Sequence, residues 1–195
     1  VEYTTPRNNG PNTLHGGPKG WHSVVWDTEV LKGSEAPAVK FSYVSPDMEM
    51  GFPGTVNIEV VYTWTDNNEI IMDYTWSADK KTVVNVTNHA YFNLNGEGSG
   101  DIYSHELIIF SVQITVNDSD SLPTGEFAAI AGTPFDFTEP RRIGEQIDQL
   151  YKGYDNNYVL RNQSGELAIA AYAGDALAQA LPESATVFVT VAPRS

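Results

Sequence analysis

The side chains best suited to proton chemistry near neutrality are four histidines, at positions 15, 22, 89 and 105 of the 195-residue sequence. His89 lies in Thr87-Asn88-His89-Ala90-Tyr91-Phe92-Asn93-Leu94. Strand alternation puts Asn85, Thr87, His89, Tyr91 and Asn93 on one face and Val84, Val86, Asn88, Ala90, Phe92 and Leu94 on the other. Such a polar face is either solvated around a structural histidine or lines a pocket for a hydroxyl-rich ligand such as a sugar. His15 lies in Asn8-Asn9-Gly10-Pro11-Asn12-Thr13-Leu14-His15-Gly16-Gly17, too irregular for a strand and too rich in glycine for a helix. It reads either as a plain loop or as one that brings backbone amides, an asparagine and an imidazole to a ligand. Asp155, in the turn cluster Gly153-Tyr154-Asp155-Asn156-Asn157-Tyr158, offers a carboxylate that can accept hydrogen bonds from vicinal hydroxyls. His22 beside Trp21 and His105 after Asp101-Ile102-Tyr103-Ser104 read as a packed or surface residue and a structural hydrogen bonder.

Several mechanisms lack their local signatures. No cysteine is present, which excludes disulfides, thiolate metal sites and a thiol nucleophile. No Gly-x-Gly-x-x-Gly, P-loop, His-Glu-x-x-His or Gly-x-Ser-x-Gly pattern occurs. No metal and no cofactor is expected. The formal charge of −14, from 25 acidic against 11 basic residues, opposes nucleic acid and anionic membrane surfaces as partners. No apolar run approaches the roughly 20 residues that span a bilayer. A cytoplasmic location is the default expectation, since nothing argues for export.

The elements that must position these residues are mostly strands. Val56, Ile58, Val60, Tyr62 and Trp64 share one face of a strand. After Thr65-Asp66-Asn67-Asn68, the residues Ile70, Met72, Tyr74 and Trp76 repeat the pattern, predicting an antiparallel hairpin. Further strands are predicted at Ser23–Leu31, Val39–Val44, Val83–Asn93, Glu106–Phe110, Val112–Val116, Tyr158–Leu160, Leu167–Tyr172 and Thr186–Val191. The spacing of Ile143, Ile147 and Leu150 predicts about two helical turns over Arg141–Tyr151, and a second short helix is predicted at Asp175–Leu181. With no linker or internal repeat, residues 1–195 read as a single all-β domain. In Gly51-Phe52-Pro53-Gly54 and Thr133-Pro134-Phe135-Asp136-Phe137 the rings either pack a core, the favoured reading, or stack on an apolar ligand face.

Together these segments, with Asp79-Lys80 and Leu122-Pro123-Thr124-Gly125-Glu126, resemble the aldose 1-epimerase (galactose mutarotase) family. The motifs stand in the family's order over residues 8–160. The resemblance implies an antiparallel β-sandwich of the galactose mutarotase type (the supersandwich), of which this chain resembles the central part, read either as a fragment incomplete at its ends or as a chain whose final segment has diverged. It also implies interconversion of the α and β anomers of a free hexose, galactose or glucose, without cofactor or metal. His89 then matches the general acid that protonates the ring oxygen. His15 helps hold that oxygen, and Asn9 and Asp155 bind hydroxyls, so that His15, His89 and Asp155 converge on one hexose ring. The family's general base is a glutamate beyond a Gln-x-Tyr segment. This sequence has no Gln-x-Tyr there, and Glu183 is the nearest late candidate. The family's N-terminal arginine motif has no match, and Asn156 stands where the family usually carries histidine. Two other readings stay beside the enzyme: a non-catalytic carbohydrate-binding protein, and an inactive fragment lacking the basic glutamate. A neutral monosaccharide is expected rather than a hexose phosphate, because no arginine or lysine lies in the motifs that carry the site. Oligomeric state is left open.

Overall fold

A computed structural model describes residues 1–161 and 168–174, and the backbone of 185–188. The described elements are antiparallel strands joined by turns and short 3-10 segments, as expected of an all-β sandwich. The chain divides into two compact units, Val1–Asn88 and His89–Ser195.

The first unit carries β1 (Asp27–Leu31), β2 (Ala38–Ser45), β3 (Val56–Trp64) and β4 (Ile70–Ala78). They form a four-stranded meander in the order β1-β2-β3-β4. The predicted hairpin forms, and its pairing keeps each predicted face on one side: Ile58 faces Trp76, Val60 faces Tyr74, Tyr62 faces Met72 and Trp64 faces Ile70. An even offset keeps both predicted faces on the same side of the sheet. On that side Val56, Ile58 and Val60 are buried. Asn68 takes a left-handed conformation (φ 61°) to close the turn, where the Thr65 and Glu69 backbones bond at 3.0 Å. The strand predicted from Ser23 begins only at Asp27, because Trp21–Ser23 forms a 3-10 turn.

The second unit holds two sheets. The strands β5 (Glu106–Ile109), β8 (Arg141–Arg142), β10 (Ile169–Gly174) and β11 (Ala185–Phe188) make one, in the order β11-β10-β5-β8. The strands β6 (Ser111–Asn117), β7 (Pro123–Ala129) and β9 (Tyr158–Leu160) make the other, in the order β7-β6-β9. The two ladders meet at Phe110, whose N–H donates to Ala170 (2.9 Å) while its carbonyl accepts from Arg161 (3.0 Å). At the same corner the buried Ser111 hydroxyl donates to Val159, bridging a register shift in the β6–β9 ladder. The core of this unit is Ile108, Ile114, Ile130, Phe137 and Ala170.

Two expectations need correction, and one strand is new. The strand predicted at Val83–Asn93 does not form, and its alternation survives in burial only as far as His89: Thr82, Val84, Val86 and Asn88 are half-buried and Lys81, Val83, Asn85, Thr87 and His89 exposed, whereas Ala90, Phe92 and Leu94, expected on the same face as Val84 and Val86, are exposed. Side-chain period alone sets which face turns inward, whereas a strand also requires a neighbour aligned to accept its backbone bonds. The helix predicted at Arg141–Tyr151 is absent. Arg141 and Arg142 pair with β5 instead, and the chain then makes two 3-10 turns, Ile143–Glu145 and Ile147–Gln149, separated by a non-helical Gln146 (φ −132°, ψ 11°). Finally, β7 was not anticipated. Its Pro123 and Gly125 weaken the strand pattern, yet both are tolerated on an edge strand that starts at the proline. The helix predicted at Asp175–Leu181 lies outside the described residues.

Candidate functional site

In the first unit Asn9 and His15 are displayed on a single cross-braced loop. The Asn9–Asn12 turn closes through reciprocal backbone bonds, Asn12 N–H to Asn9 C=O at 2.9 Å and the reverse at 3.1 Å. Asn8 then clamps the other end: its Oδ1 accepts from the Leu14 N–H (2.7 Å) and its Nδ2 donates to the Leu14 carbonyl (3.0 Å). The Thr13 hydroxyl donates to the Pro6 carbonyl at 2.6 Å. His15 itself is exposed and left-handed (φ 51°), a conformation that costs a non-glycine residue energy and is held by these neighbours. Gly20 backs the loop so closely that a Cβ there would collide with the His15 carbonyl oxygen. Sequence reasoning singled out Asn9. The clamping role belongs to its neighbour Asn8, and only the fold distinguishes two adjacent asparagines.

The Gly51-Phe52-Pro53-Gly54 turn and the distant Asp79-Lys80 pair form one interlock. Lys80 Nζ reaches Asp47 Oδ2 at 2.7 Å, and Asp47 Oδ1 accepts the Gly54 N–H at 2.6 Å. Asp79 Oδ1 in turn accepts the Thr55 N–H at 2.7 Å. Lys80, and next the Gly54 amide, hold the Asp47 carboxyl below the usual carboxylate range. This turn borders an open cavity of about 330 Å³ lined by Tyr3, Thr5, Phe52, Pro53, Lys81, Thr82 and Val83. None of the predicted site residues lines it. Nearby, the Glu49 carboxylate accepts from Tyr43 Oη and from Ser45 Oγ, both at 2.6 Å, and pushes the Tyr43 phenol up to about 12.

In the second unit His89 is exposed, its ring 5.4 Å from that of Tyr91. Its segment ends in a tight anchor. Asn93 Nδ2 donates to the Gly100 carbonyl (3.1 Å), Asn93 Oδ1 accepts from the Asn95 N–H (3.0 Å), and the Leu94 N–H donates to Nε2 of buried His105 (3.1 Å). The structural reading of His105 therefore holds. His22 is exposed.

Asp155 is also exposed, between two fixed points. On one side the Tyr154 ring packs edge-on against Phe137 (centroids 5.0 Å apart) and Phe135 (6.1 Å). On the other, the Asn157 carbonyl accepts from Thr115 N–H of β6 at 3.0 Å, and Tyr158 opens β9, its hydroxyl donating to the Phe135 carbonyl at 3.0 Å. The Arg141 guanidinium lies 4.4 Å over the Phe137 ring, donates to Gln146 Oε1 at 3.0 Å and also donates to the Pro134 carbonyl. Burial pushes the Tyr154 and Tyr158 phenols up, with Arg141 pulling the other way. The Thr138 hydroxyl, joined by the Gly132 and Thr138 amides and by Arg141, holds the Asp136 carboxyl low. The rings of Thr133–Phe137 thus pack the core that carries Asp155. Arg141 escaped sequence reasoning because the helical spacing of Ile143, Ile147 and Leu150 assigned it to a helix.

The arrangement presents an imidazole and an aspartate in one unit and an imidazole and an amide in the other, each exposed on a braced segment. Such groups can donate to, accept from and exchange protons with hydroxyls. Among the described residues no cluster of three or more His, Asp or Glu side chains could hold a metal ion. No described helix is long and apolar enough to cross a membrane.

The aldose 1-epimerase family pattern matches residues 1–190, so the chain belongs to that family. It is 43% identical over 161 residues to the galactose mutarotase of Bos taurus, covering 82% of this chain and 46% of that protein. A solved galactose 1-epimerase from Lactobacillus acidophilus superposes with a TM-score of 0.79 at 28% identity, over 88% of this chain and 51% of that one. An aldose epimerase homologue from C. elegans does so with a TM-score of 0.72 at 29% identity and the same coverage. The chain spans about half the length of the relatives it matches.

Proposed function

We propose that this chain carries the acid and sugar-binding part of an aldose 1-epimerase site for a free hexose. The observation that carries the reading is the family match over residues 1–190, joined to motifs that put histidine at 89 and 15 and aspartate at 155. Mutarotation opens and recloses a hemiacetal. A base takes the proton of the anomeric hydroxyl, an acid delivers one to the ring oxygen as the C1–O5 bond breaks, and the steps reverse after rotation about C1–C2. In this reading His89 is the acid, His15 hydrogen-bonds the ring oxygen and its neighbours, and Asn9 and Asp155 bind hydroxyls. The substrate expected in this reading is a neutral hexose, galactose or glucose, rather than a hexose phosphate.

The test is polarimetry of freshly dissolved α-D-galactose with the intact chain, its mass verified, beside His89→Gln and a full-length relative. The chain is expected to bind galactose. Its rate should fall below the relative's by as much as the ~10²–10⁴ that one general acid–base group supplies, because no residue matches the family's base. His89→Gln should remove the remaining acceleration while galactose still binds. An unchanged rate in His89→Gln would remove the acid role and leave a sugar-binding protein. Equality with the relative would place the base within this sequence, with Glu183 first to be substituted.

A further inference from the structure

We propose that His105 is a positioning residue, holding the segment that carries His89 through the backbone amide of Leu94. The inference rests on the reading of His89 as the acid.

One strand ends at Ala78 and the next begins at Glu106, so His89 rides on an irregular segment rather than on a sheet. That segment is anchored where it ends. His105 is 2% exposed and immediately precedes β5, an interior strand of its sheet. Its own backbone is tied on both sides: the N–H donates to Ile102 (3.1 Å) and the carbonyl accepts from Ile143 (2.9 Å). The imidazole is therefore a rigid extension of the core. Its Nε2 accepts the Leu94 N–H at 3.1 Å, which requires Nε2 to be unprotonated and, in the neutral ring, places the proton on Nδ1.

The Asn93 side chain alone would fold the next turn without referring it to a sheet, since both of its bonds go to loop residues, Asn95 and Gly100. The Leu94 bond to His105 refers the end of the segment to β5. His89 is five residues upstream. An acid must meet its proton acceptor within hydrogen-bond reach, and misplacement by about 1 Å can cost about 10²-fold in rate. A leucine at 105 would remove the acceptor and orphan the Leu94 amide, whereas a glutamine can return an oxygen to the place of Nε2.

The experiment uses the full chain and reads two quantities. Long-range proton–nitrogen correlation should show His105 with an unprotonated Nε2 and a protonated Nδ1. Amide exchange at Leu94 should quicken at least tenfold in His105→Leu and be restored in His105→Gln. Asparagine is too short to reach the amide, so His105→Asn should behave like leucine and supplies the comparison if the leucine variant does not fold. In mutarotation, His105→Leu should lower kcat by about 10²-fold with KM for galactose within about twofold, because the hydroxyl contacts are made elsewhere. A protonated Nε2, or Leu94 exchange indifferent to the residue at 105, overturns the proposal. So does a loss of kcat that glutamine fails to recover. If His89→Gln leaves the rate unchanged while Leu94 protection still follows residue 105, the acid reading fails and the hold of His105 on the segment stands.

Discussion

Replacing Phe137 by alanine should remove about 4 kcal/mol from the stability of the second unit. The ring is 0% exposed, and its Tyr154 and Arg141 contacts lie at 5.0 and 4.4 Å. Withdrawing about 150 Å² of apolar surface at about 25 cal/mol/Å² gives about 4 kcal/mol, within the ~3–5 kcal/mol usual for a buried Phe→Ala change. The readout must be chosen with care. All four tryptophans, at 21, 26, 64 and 76, lie in the first unit, so the readout for Phe137 is taken from amides of its own unit. Native-state amide exchange at Ile108 and Ile114 supplies it. A loss of about 4 kcal/mol corresponds to about a 10³-fold fall in protection where those amides exchange by opening of the whole unit. Phe127, in the same unit but 57% exposed, provides the control: Phe127→Ala should cost less than about 1 kcal/mol. In a double-mutant cycle Phe137 and Tyr154 should couple by about 0.5–1.5 kcal/mol. Equal losses for Phe137→Ala and Phe127→Ala would refute the assignment of Phe137 as the centre of the core that carries Asp155.

Two further outcomes are expected. Tyr43, pushed up to about 12 by its bond to Glu49, and Tyr74, pushed up to about 12 by burial, should still be protonated when an ordinary phenol has ionised near 10. The folded state then holds more protons than the unfolded state between about 10 and 12, so stability falls as pH rises through that window. Absorbance at 295 nm should show a late step, and one common step near 10 for all ten tyrosines would contradict it. Gly51→Ala should destabilise the first unit by about 2–4 kcal/mol, since φ is +81° and the new Cβ would collide with the Thr4 carbonyl oxygen. Tryptophan fluorescence in a urea titration measures this, and a change under about 0.5 kcal/mol would show that the Thr4 backbone moves aside freely.

The alternation of Val56–Trp64 and Ile70–Ala78 determined a strand pair and which side chains share a face, because a two-residue period sorts them, while the turn between the strands set which residues pair. The motifs of residues 8–160 likewise identified the family from local residue order. Tertiary structure decided the rest, wherever the deciding partner lay outside the periodic pattern of a single element. Val83–Asn93 kept its alternation only as far as His89 and did not become a strand, since a ladder needs an aligned neighbour that side-chain period cannot supply. Helical spacing at Ile143, Ile147 and Leu150 was overruled when β5 took Arg141 and Arg142 as ladder partners. Four locks were equally invisible in a one-dimensional pattern: Lys80 with Asp47, Asp79 with Thr55, Arg141 with Phe137, and His105 with Leu94. Each joins groups from 4 to 33 positions apart. Sequence alone could name those residue types, but the energy that pairs them depends on distances of a few ångströms, which only the folded chain sets.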